Sequence, residues 1–229
     1  MDRSCLVHYR AASATTSKGD GSMKRTTGDA IATIVLVAVI PTFADPPAGS
    51  SWTQTFDDEF NGSTLDTAKW NPNSPWGGPA NGASEGEGYY PSQITVAGGL
   101  CTIDMHKDTN TYAGHLRYWR SGILHTLHKF SQRFGYFETR VNVGSNYNEY
   151  TWPWPAVWMC PDDNGWPPEV DLYDGTGTYL FKWWTSNNYP ASGGGLDKEF
   201  DITDGSKRVY ESWHTLGDAL DSGQCDRIL

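Results

Sequence analysis

The segment from Tyr136 to Val143, YFETRVNV, alternates between two classes of side chain with a period of two residues. Such alternation is typical of a β-strand with one face in a core and one face in water. The core face is predicted to comprise Phe137, Thr139, Val141 and Val143, and the wet face Glu138, Arg140 and Asn142. Similar short runs recur after residue 50, among them a hairpin with its turn at Gly98 and Gly99 and a short strand from Gly122 to Thr126. Runs separated by turn-forming residues in this way predict an all-β sandwich or jelly roll.

The composition agrees with a chain of short strands and many turns. It includes 25 glycines, 13 prolines and 11 tryptophans, a combination that excludes a helical bundle or a coiled coil. The formal net charge of -10 disfavours electrostatic binding to nucleic-acid phosphates or anionic lipids. Neutral substrates are therefore expected, and no nucleic-acid partner is.

The N-terminal part has the features of a targeting segment. An apolar run from Ala30 to Ile40 is too short to span a membrane. Basic residues precede this run and small residues follow it, as in a secretory signal peptide: Lys24, Arg25, Thr42 and Ala44. We predict a signal peptide over residues 1–44, with Met23 as an alternative start, and a secreted or periplasmic product that does not bind membranes after cleavage. A buried N-terminal strand is the alternative interpretation.

Cysteine and histidine spacing gives no sign of a disulfide framework or a metal site. Cleavage after Ala44 would leave Cys101, Cys160 and Cys225, which allow at most one disulfide. Cys101 and Cys160 are better explained as small buried hydrophobic residues within strands. Neither a metal nor another cofactor is predicted.

The segment from Trp166 to Gly175, WPPEVDLYDG, carries three closely spaced carboxylates. On a strand, Glu169 and Asp171 point to the same face, whereas Asp174 has the opposite parity. A β-bulge between Asp171 and Asp174 would bring the third carboxylate to that face. Clustered carboxylates raise the pKa of one another, and an ionised nucleophile beside a protonated acid is the pair that retaining glycoside hydrolysis needs. A solvated acidic strand end is an equally good explanation of these residues alone.

Five segments in one order resemble glycoside hydrolase family 16, the laminarinase and lichenase group. They read FDDEFNGSTLDTAKWN from Phe56, YWRSGILHT from Tyr118, FGYFETRVNV from Phe134, WPAVWMCP from Trp154 and GWPPEVDLYDGTG from Gly165. The last of these resembles the family's catalytic pattern E-x-D-x-x-E. The resemblance implies a concanavalin-like β-sandwich, with Glu169 as nucleophile, Asp171 as the carboxylate that tunes it, and position 174 as the acid/base.

Two departures from the family pattern affect the expected activity. Asp174 stands where the family has Glu, so its carboxyl group is one methylene further back, and misplacement by about 1 Å can lower a rate about a hundredfold. The resemblance also implies further strands after the segment that begins at Glu211, whereas Asp218 to Leu229 has no strand pattern. We therefore expect a catalytic domain over residues 45–217 that lacks its C-terminal strands, an incomplete sandwich, and a tail over residues 218–229 unlike the family.

Aromatic residues in these segments are candidates for binding sugar rings, because pyranose rings stack on indoles. The candidate substrate-binding residues are Tyr90, Arg120, Trp154, Trp158 and Trp166. Packing in the core is an equally good explanation for each tryptophan alone. The sequence thus predicts a secreted, monomeric, retaining endo-β-glycosidase acting on a β-1,3 or mixed β-1,3-1,4 glucan. A carbohydrate-binding protein with an impaired acid/base and a non-functional gene fragment are the alternatives.

Overall fold

The structure is a computed structural model that describes twelve strands and the segments next to them. The described residues are 3–15, 46–48, 51–78, 86–143, 154–163, 165, 168–175, 182–188, 198–201 and 213–220. For the strands within 3–15, 182–188 and 198–201, the backbone alone is described. No α-helix occurs in these residues, and none of their helical turns could cross a membrane.

The strands form two sheets. They are β1 (Arg3–Thr15), β2 (Ser51–Asp58), β3 (Glu87–Tyr89), β4 (Ile94–Ala97), β5 (Leu100–Tyr112), β6 (His115–Ser121), β7 (Gly135–Asn142), β8 (Ala156–Met159), β9 (Glu169–Asp174), β10 (Lys182–Asn188), β11 (Lys198–Asp201) and β12 (His214–Leu220). The larger sheet has the order β12-β7-β1-β5-β6-β3, with β2 paired to β1 and β4 to β5. The smaller sheet has the order β11-β10-β9-β8. The prediction of an all-β chain is confirmed.

Strand β7 follows the alternation that its sequence predicts. Its core face is buried as expected, with Thr139 at 0% and Val141 at 1% exposure. The opposite face differs from the prediction, because Glu138 is also buried, at 2% exposure. The Tyr136 hydroxyl donates a hydrogen bond of 2.8 Å to Oε2 of Glu138. The face expected to be wet is therefore partly buried, with Glu138 enclosed and Arg140 and Asn142 partly exposed.

The hairpin between β4 and β5 forms where its glycines predict a turn. Gly98 and Gly99 have φ values of 61° and 76°, a conformation that costs glycine little and other residues much more. A strand expected over residues 122–126 is absent, because the chain leaves β6 at Ser121. Gly122 packs so closely that a Cβ there would lie 2.9 Å from Ile94, and Leu124 then packs against the core.

The core lies between the two sheets. Its buried residues in and around the larger sheet are Phe56, Phe60, Trp70, Val96, Cys101 and Phe137. Met159 of β8 and Leu220 of β12 pack against this cluster, and both also pack against Val170 of β9. Apolar contacts therefore hold β9 of the smaller sheet against the larger sheet, and the predicted sandwich is confirmed.

The strands nearest the chain ends differ from the predicted boundaries. Strand β12 continues to Leu220 and pairs with β7 over its whole length, although the sequence shows no strand pattern after residue 217. Strand β1 lies within the predicted signal peptide and pairs with β7 on one side and with β5 and β2 on the other. Cleavage after residue 44 would remove the strand between β7 and β5. The signal peptide itself stays a prediction.

Candidate active site

A β-bulge in β9 brings the three carboxylates of the predicted catalytic motif to one face. Asp171 stands opposite Trp158 of β8, and Asp174 stands opposite Ala156. Since residues 156 and 158 are two apart on β8 and share a face, Asp171 and Asp174 share one also. Leu172 is the extra residue of the bulge. The pairing with β10 shifts at the same place, with Asp174 opposite Trp184 and Asp171 opposite Ser186, so both neighbours confirm the bulge.

The three carboxylates differ in their exposure to solvent. Asp171 is buried at 7% exposure, whereas Glu169 and Asp174 are partly buried. Glu169 precedes Asp171 by two residues and lies on the same face, opposite Asn188 in the pairing with β10. The arrangement therefore places a partly accessible carboxylate on each side of a buried one. This is what a nucleophile, a tuning group and an acid/base would need.

Trp154 contacts the carboxylate at the acid/base position. Its indole N–H donates a short hydrogen bond to Oδ1 of Asp174, while its ring stays 64% exposed. The backbone N–H of Gly175 donates to the carbonyl oxygen of Pro155 at 3.0 Å, which continues the pairing of β8 and β9 beyond Asp174. The predicted sugar-binding residue Trp154 thus lies directly beside a predicted catalytic residue.

Trp158 also lies on the carboxylate face, but one side of its ring is covered. The rings of Trp76 and Trp158 stack with centroids 5.8 Å apart and an interplanar angle of 12°. Trp76 belongs to a loop rich in glycine, proline and asparagine, and sequence analysis did not identify it as a site residue. The sequence did contain an indication of this role, because a large apolar ring in a loop of small and polar residues is expected to pack against another part of the protein. The stack leaves at most the edge and one face of Trp158 for a sugar.

Cys160 follows β8 directly and lies near Glu169. Cys160 is partly buried and keeps solvent-exposed surface, and this partial burial raises the pKa of its thiol, which the negative charges of Glu169 and Asp163 raise further. The prediction that Cys101 and Cys160 are both buried is therefore half right: Cys101 is fully buried, whereas Cys160 is exposed at the surface. Both are free thiols. Cys225 lies outside the described residues.

Tyr90 and Arg120 form a separate cluster at the β3 edge of the larger sheet. The Arg120 guanidinium lies 4.3 Å from the centroid of the Tyr90 ring, and its Nε donates a short hydrogen bond to Oδ2 of Asp108. The Tyr90 hydroxyl donates to Oδ1 of Asn110 at 2.7 Å. The structure brings these two predicted site residues together but places them on a different sheet from the carboxylates. One face of Tyr90 is covered by Arg120, so that face cannot stack on a sugar.

Trp166, the remaining predicted binding residue, lies outside the described part of the chain. Within that part, no group of three or more histidine, cysteine, aspartate or glutamate side chains is arranged to hold a metal ion. Of the eight predicted site residues, the structure therefore gathers five around β9: Trp154, Trp158, Glu169, Asp171 and Asp174.

Comparison with known proteins agrees with this fold. No protein-family model matches the chain. It is 31% identical over 146 residues to the endo-1,3-1,4-beta-glycanase EglC of Rhizobium meliloti, a match that covers 53% of this chain and 29% of the relative. The chain therefore spans less than a third of the length of that curated relative.

Solved structures show the same fold. The laminarinase catalytic domain from Thermotoga maritima matches with a TM-score of 0.63 and 22% identity, over 72% of this chain and 68% of that one. A mutant of SCLam, a non-specific endo-beta-1,3(4)-glucanase from family GH16, matches with a TM-score of 0.64 and 22% identity, over 79% and 72%. The fold is thus that of the laminarinase β-sandwiches, and the sequence is similar to that of endo-1,3-1,4-beta-glycanases. The predicted resemblance to glycoside hydrolase family 16, in its laminarinase and lichenase group, is confirmed.

Proposed function

We propose that this chain is an endo-acting glycoside hydrolase that cleaves a β-1,3 or mixed β-1,3-1,4 glucan with retention of configuration. The observation that carries the proposal is the bulge in β9, which brings Asp174 to the face of Glu169 and Asp171. The names of the relatives support the substrate class, since EglC is an endo-1,3-1,4-beta-glycanase and the SCLam mutant presents a glucan oligosaccharide at its active site.

In this mechanism each carboxylate has one task. Asp174 donates its proton to the glycosidic oxygen while a carboxylate oxygen of Glu169 attacks the anomeric carbon, so the bond to the leaving sugar breaks as a glycosyl ester forms. Asp174, now ionised, then removes a proton from a water molecule that displaces Glu169 from the same carbon. Asp171 lies between them on the same face, and the resemblance to glycoside hydrolase family 16 gives it the task of tuning Glu169.

The test of the nucleophile is Glu169→Gln, which keeps the shape of the side chain and removes its charge. We expect turnover of laminarin and lichenan to be lost, while calorimetry with a glucan oligosaccharide detects binding close to that of the unchanged protein. Glu59→Gln, at a residue just after β2 in the larger sheet, is the matched control and retains turnover. Unchanged turnover in Glu169→Gln would remove this residue from its role. Proton NMR of the first product separates the stereochemical outcomes, because an α-anomer would refute retention.

A carbohydrate-binding protein is the second candidate, and the aspartate at position 174 favours it. Its side chain is shorter than the glutamate of the family pattern, and one of its oxygens already accepts a hydrogen bond from Trp154. Such a protein would bind the oligosaccharide and release no reducing ends, either as it stands or as the Asp174→Glu variant. A gain of hydrolysis in that variant would exclude this candidate.

We also propose export of the protein, on the basis of the basic residues, apolar run and small residues within residues 24–44. This proposal is separate from the reaction, because neither the carboxylates nor their neighbours on β8 belong to that segment.

A further inference from the structure

We propose that Trp154 is a positioning residue for Asp174: its indole N–H holds Oδ1 of the carboxyl group and leaves Oδ2 to carry the proton toward the glycosidic oxygen. This inference rests on the proposed function, in which Asp174 is the acid/base. It assigns Trp154 a role in the proton transfer, in addition to the contact with sugar that its exposed ring predicts.

The assignment of one oxygen follows from the chemistry of the two groups. An indole N–H can donate and cannot accept, so the oxygen that it contacts is an acceptor and does not carry the proton in that arrangement. In the acid form the carbonyl oxygen is the stronger acceptor, so the contact with the indole favours the proton on the other oxygen. Rotation of the carboxyl group would exchange the two oxygens only by breaking the bond to Trp154. The hydrogen bond thus orients the acid before any substrate is bound.

The backbone holds donor and acceptor in place. Ala156 stands opposite Asp174 in the β8–β9 pairing, and Trp154 lies two residues before Ala156, on the side of the strand that carries Asp174. The bond from Gly175 N–H to the Pro155 carbonyl, at 3.0 Å, ties the next residue pair together. Gly175 is also closely packed, since a Cβ there would lie 2.7 Å from Tyr173 Cε1. Little backbone movement is available to separate Trp154 from Asp174.

The hydrogen bond affects the reaction through charge. A donor to a carboxylate favours its ionised form and strengthens as negative charge develops on the oxygens. When Asp174 gives up its proton, the contact with Trp154 becomes charge-assisted, so it stabilises the transition state more than the protonated ground state. The same contact favours loss of the proton in the free protein, which sets an upper limit to the pH at which the acid form is present.

Other ionisable groups around Asp174 act in the opposite direction. On its own strand these are Glu169 and Asp171, whose negative charges disfavour its ionisation. Strand β8 presents no ionisable side chain between Trp154 and Cys160, and on β10 the register position opposite Asp174 is Trp184, with Lys182 two residues away. The hydrogen bond from Trp154 thus acts against the effect of the two neighbouring carboxylates.

The decisive variant is Trp154→Phe, which keeps an aromatic ring and removes the N–H. The alkaline limb of the pH profile of kcat/KM reports the pKa of the acid in the free enzyme. We expect this limb to move to higher pH by about half a unit to one unit, because the donor that favours the ionised carboxylate is gone. We also expect kcat to fall by about threefold to tenfold, because the acid is no longer oriented. Trp158→Phe is the matched control: it lies on the same face, stacks on Trp76, and should leave the alkaline limb in place. An unmoved limb in Trp154→Phe, or an equal shift in the control, would overturn the proposal.

A second measurement tests the hydrogen bond without substrate. In the full-length protein, the indole ¹H–¹⁵N signal that disappears in Trp154→Phe should shift with pH as Asp174 titrates, and the shift should vanish in Asp174→Asn. A signal that does not titrate would refute the contact whether or not the protein is an enzyme. A titrating signal together with an unmoved alkaline limb would show that the bond exists but does not position the acid, which would also overturn the proposal. If the protein turned out not to hydrolyse glucans, the NMR measurement would still show whether Trp154 is hydrogen-bonded to Asp174.

Discussion

Lengthening the acid/base side chain by the change Asp174→Glu should accelerate hydrolysis. The extra methylene moves the carboxyl group forward by about 1.3 Å if the backbone stays where it is. The structure gives reasons for a fixed backbone, because β9 is paired on both sides of the bulge and Gly175 donates to Pro155 at 3.0 Å. The side chain therefore has to advance into the cleft.

The expected magnitude follows from the cost of misplacing a catalytic group. Misplacement by about 1 Å costs up to about a hundredfold in rate, which corresponds to about 2.7 kcal/mol of activation free energy. The glutamate will partly lose the hydrogen bond from Trp154, because that bond fits the shorter side chain. We therefore expect kcat to rise by at least about tenfold, or about 1.4 kcal/mol, and by less than about a hundredfold.

The assay is release of reducing ends from laminarin and lichenan, with kcat and KM determined separately. Asp171→Glu is the matched control, since it makes the same change at a buried carboxylate where no room for a methylene is expected and the rate should not rise. Trp154→Phe should lower kcat less in the Asp174→Glu background than in the starting protein, because the glutamate has already lost part of the hydrogen bond from Trp154. If Asp174→Glu has the melting temperature of the starting protein and no higher kcat, distance is not what limits this site.

Three further predictions concern stability and one concerns processing. In the unprocessed full-length chain, Val7→Pro should lower the melting temperature far more than Val7→Ala, because Val7 pairs with two neighbouring strands and proline cannot donate to a ladder. Trp70→Phe removes the donor of a buried hydrogen bond of 2.7 Å and should cost about 1–3 kcal/mol in urea unfolding, whereas Trp52→Phe, whose donor is exposed, should cost less. Burial raises the pKa of Asp218, so the contribution of this carboxyl group to stability is present at low pH and is lost as the pH rises through its folded-state pKa. Asp218→Asn should therefore raise the melting temperature at pH 7, and raise it less in acid, where the aspartate is itself protonated. N-terminal sequencing of exported protein should find Asp45, and Met1 or a start far from Asp45 would contradict the predicted signal peptide.

The sequence predicted the fold class because the alternation of side chains is a local property. Strand β7 shows this best, since the buried residues on its core face are those with the expected parity. The hairpin at Gly98 and Gly99 was equally predictable, because two glycines between strand-like runs favour that turn. The strand predicted over residues 122–126 is absent, although the composition of that segment suits a strand. Gly122 is instead closely packed against the side chains of Ile94 and Ile103.

The candidate site was only partly predictable. The parity of Glu169 and Asp171 follows from the sequence, whereas the bulge at Leu172 depends on the register of β8 and β10 against β9. Register is set by the pairing with the two neighbouring strands, and nothing in the residues of β9 alone specifies it. The stack of Trp76 on Trp158 could not be predicted either, because the sequence shows both tryptophans but not that they meet.

The sequence by itself thus determined which residues carry charge and rings, the alternation that makes strands, and the family that the chain resembles. The tertiary structure decided which of those residues meet. It placed Tyr90 and Arg120 in a cluster of their own on the larger sheet and set Trp154 against Asp174. It also buried Glu138 on a face that looked wet. The physical reason is that burial and strand register are selected by the packing of the whole sandwich rather than by the local preference of any one strand.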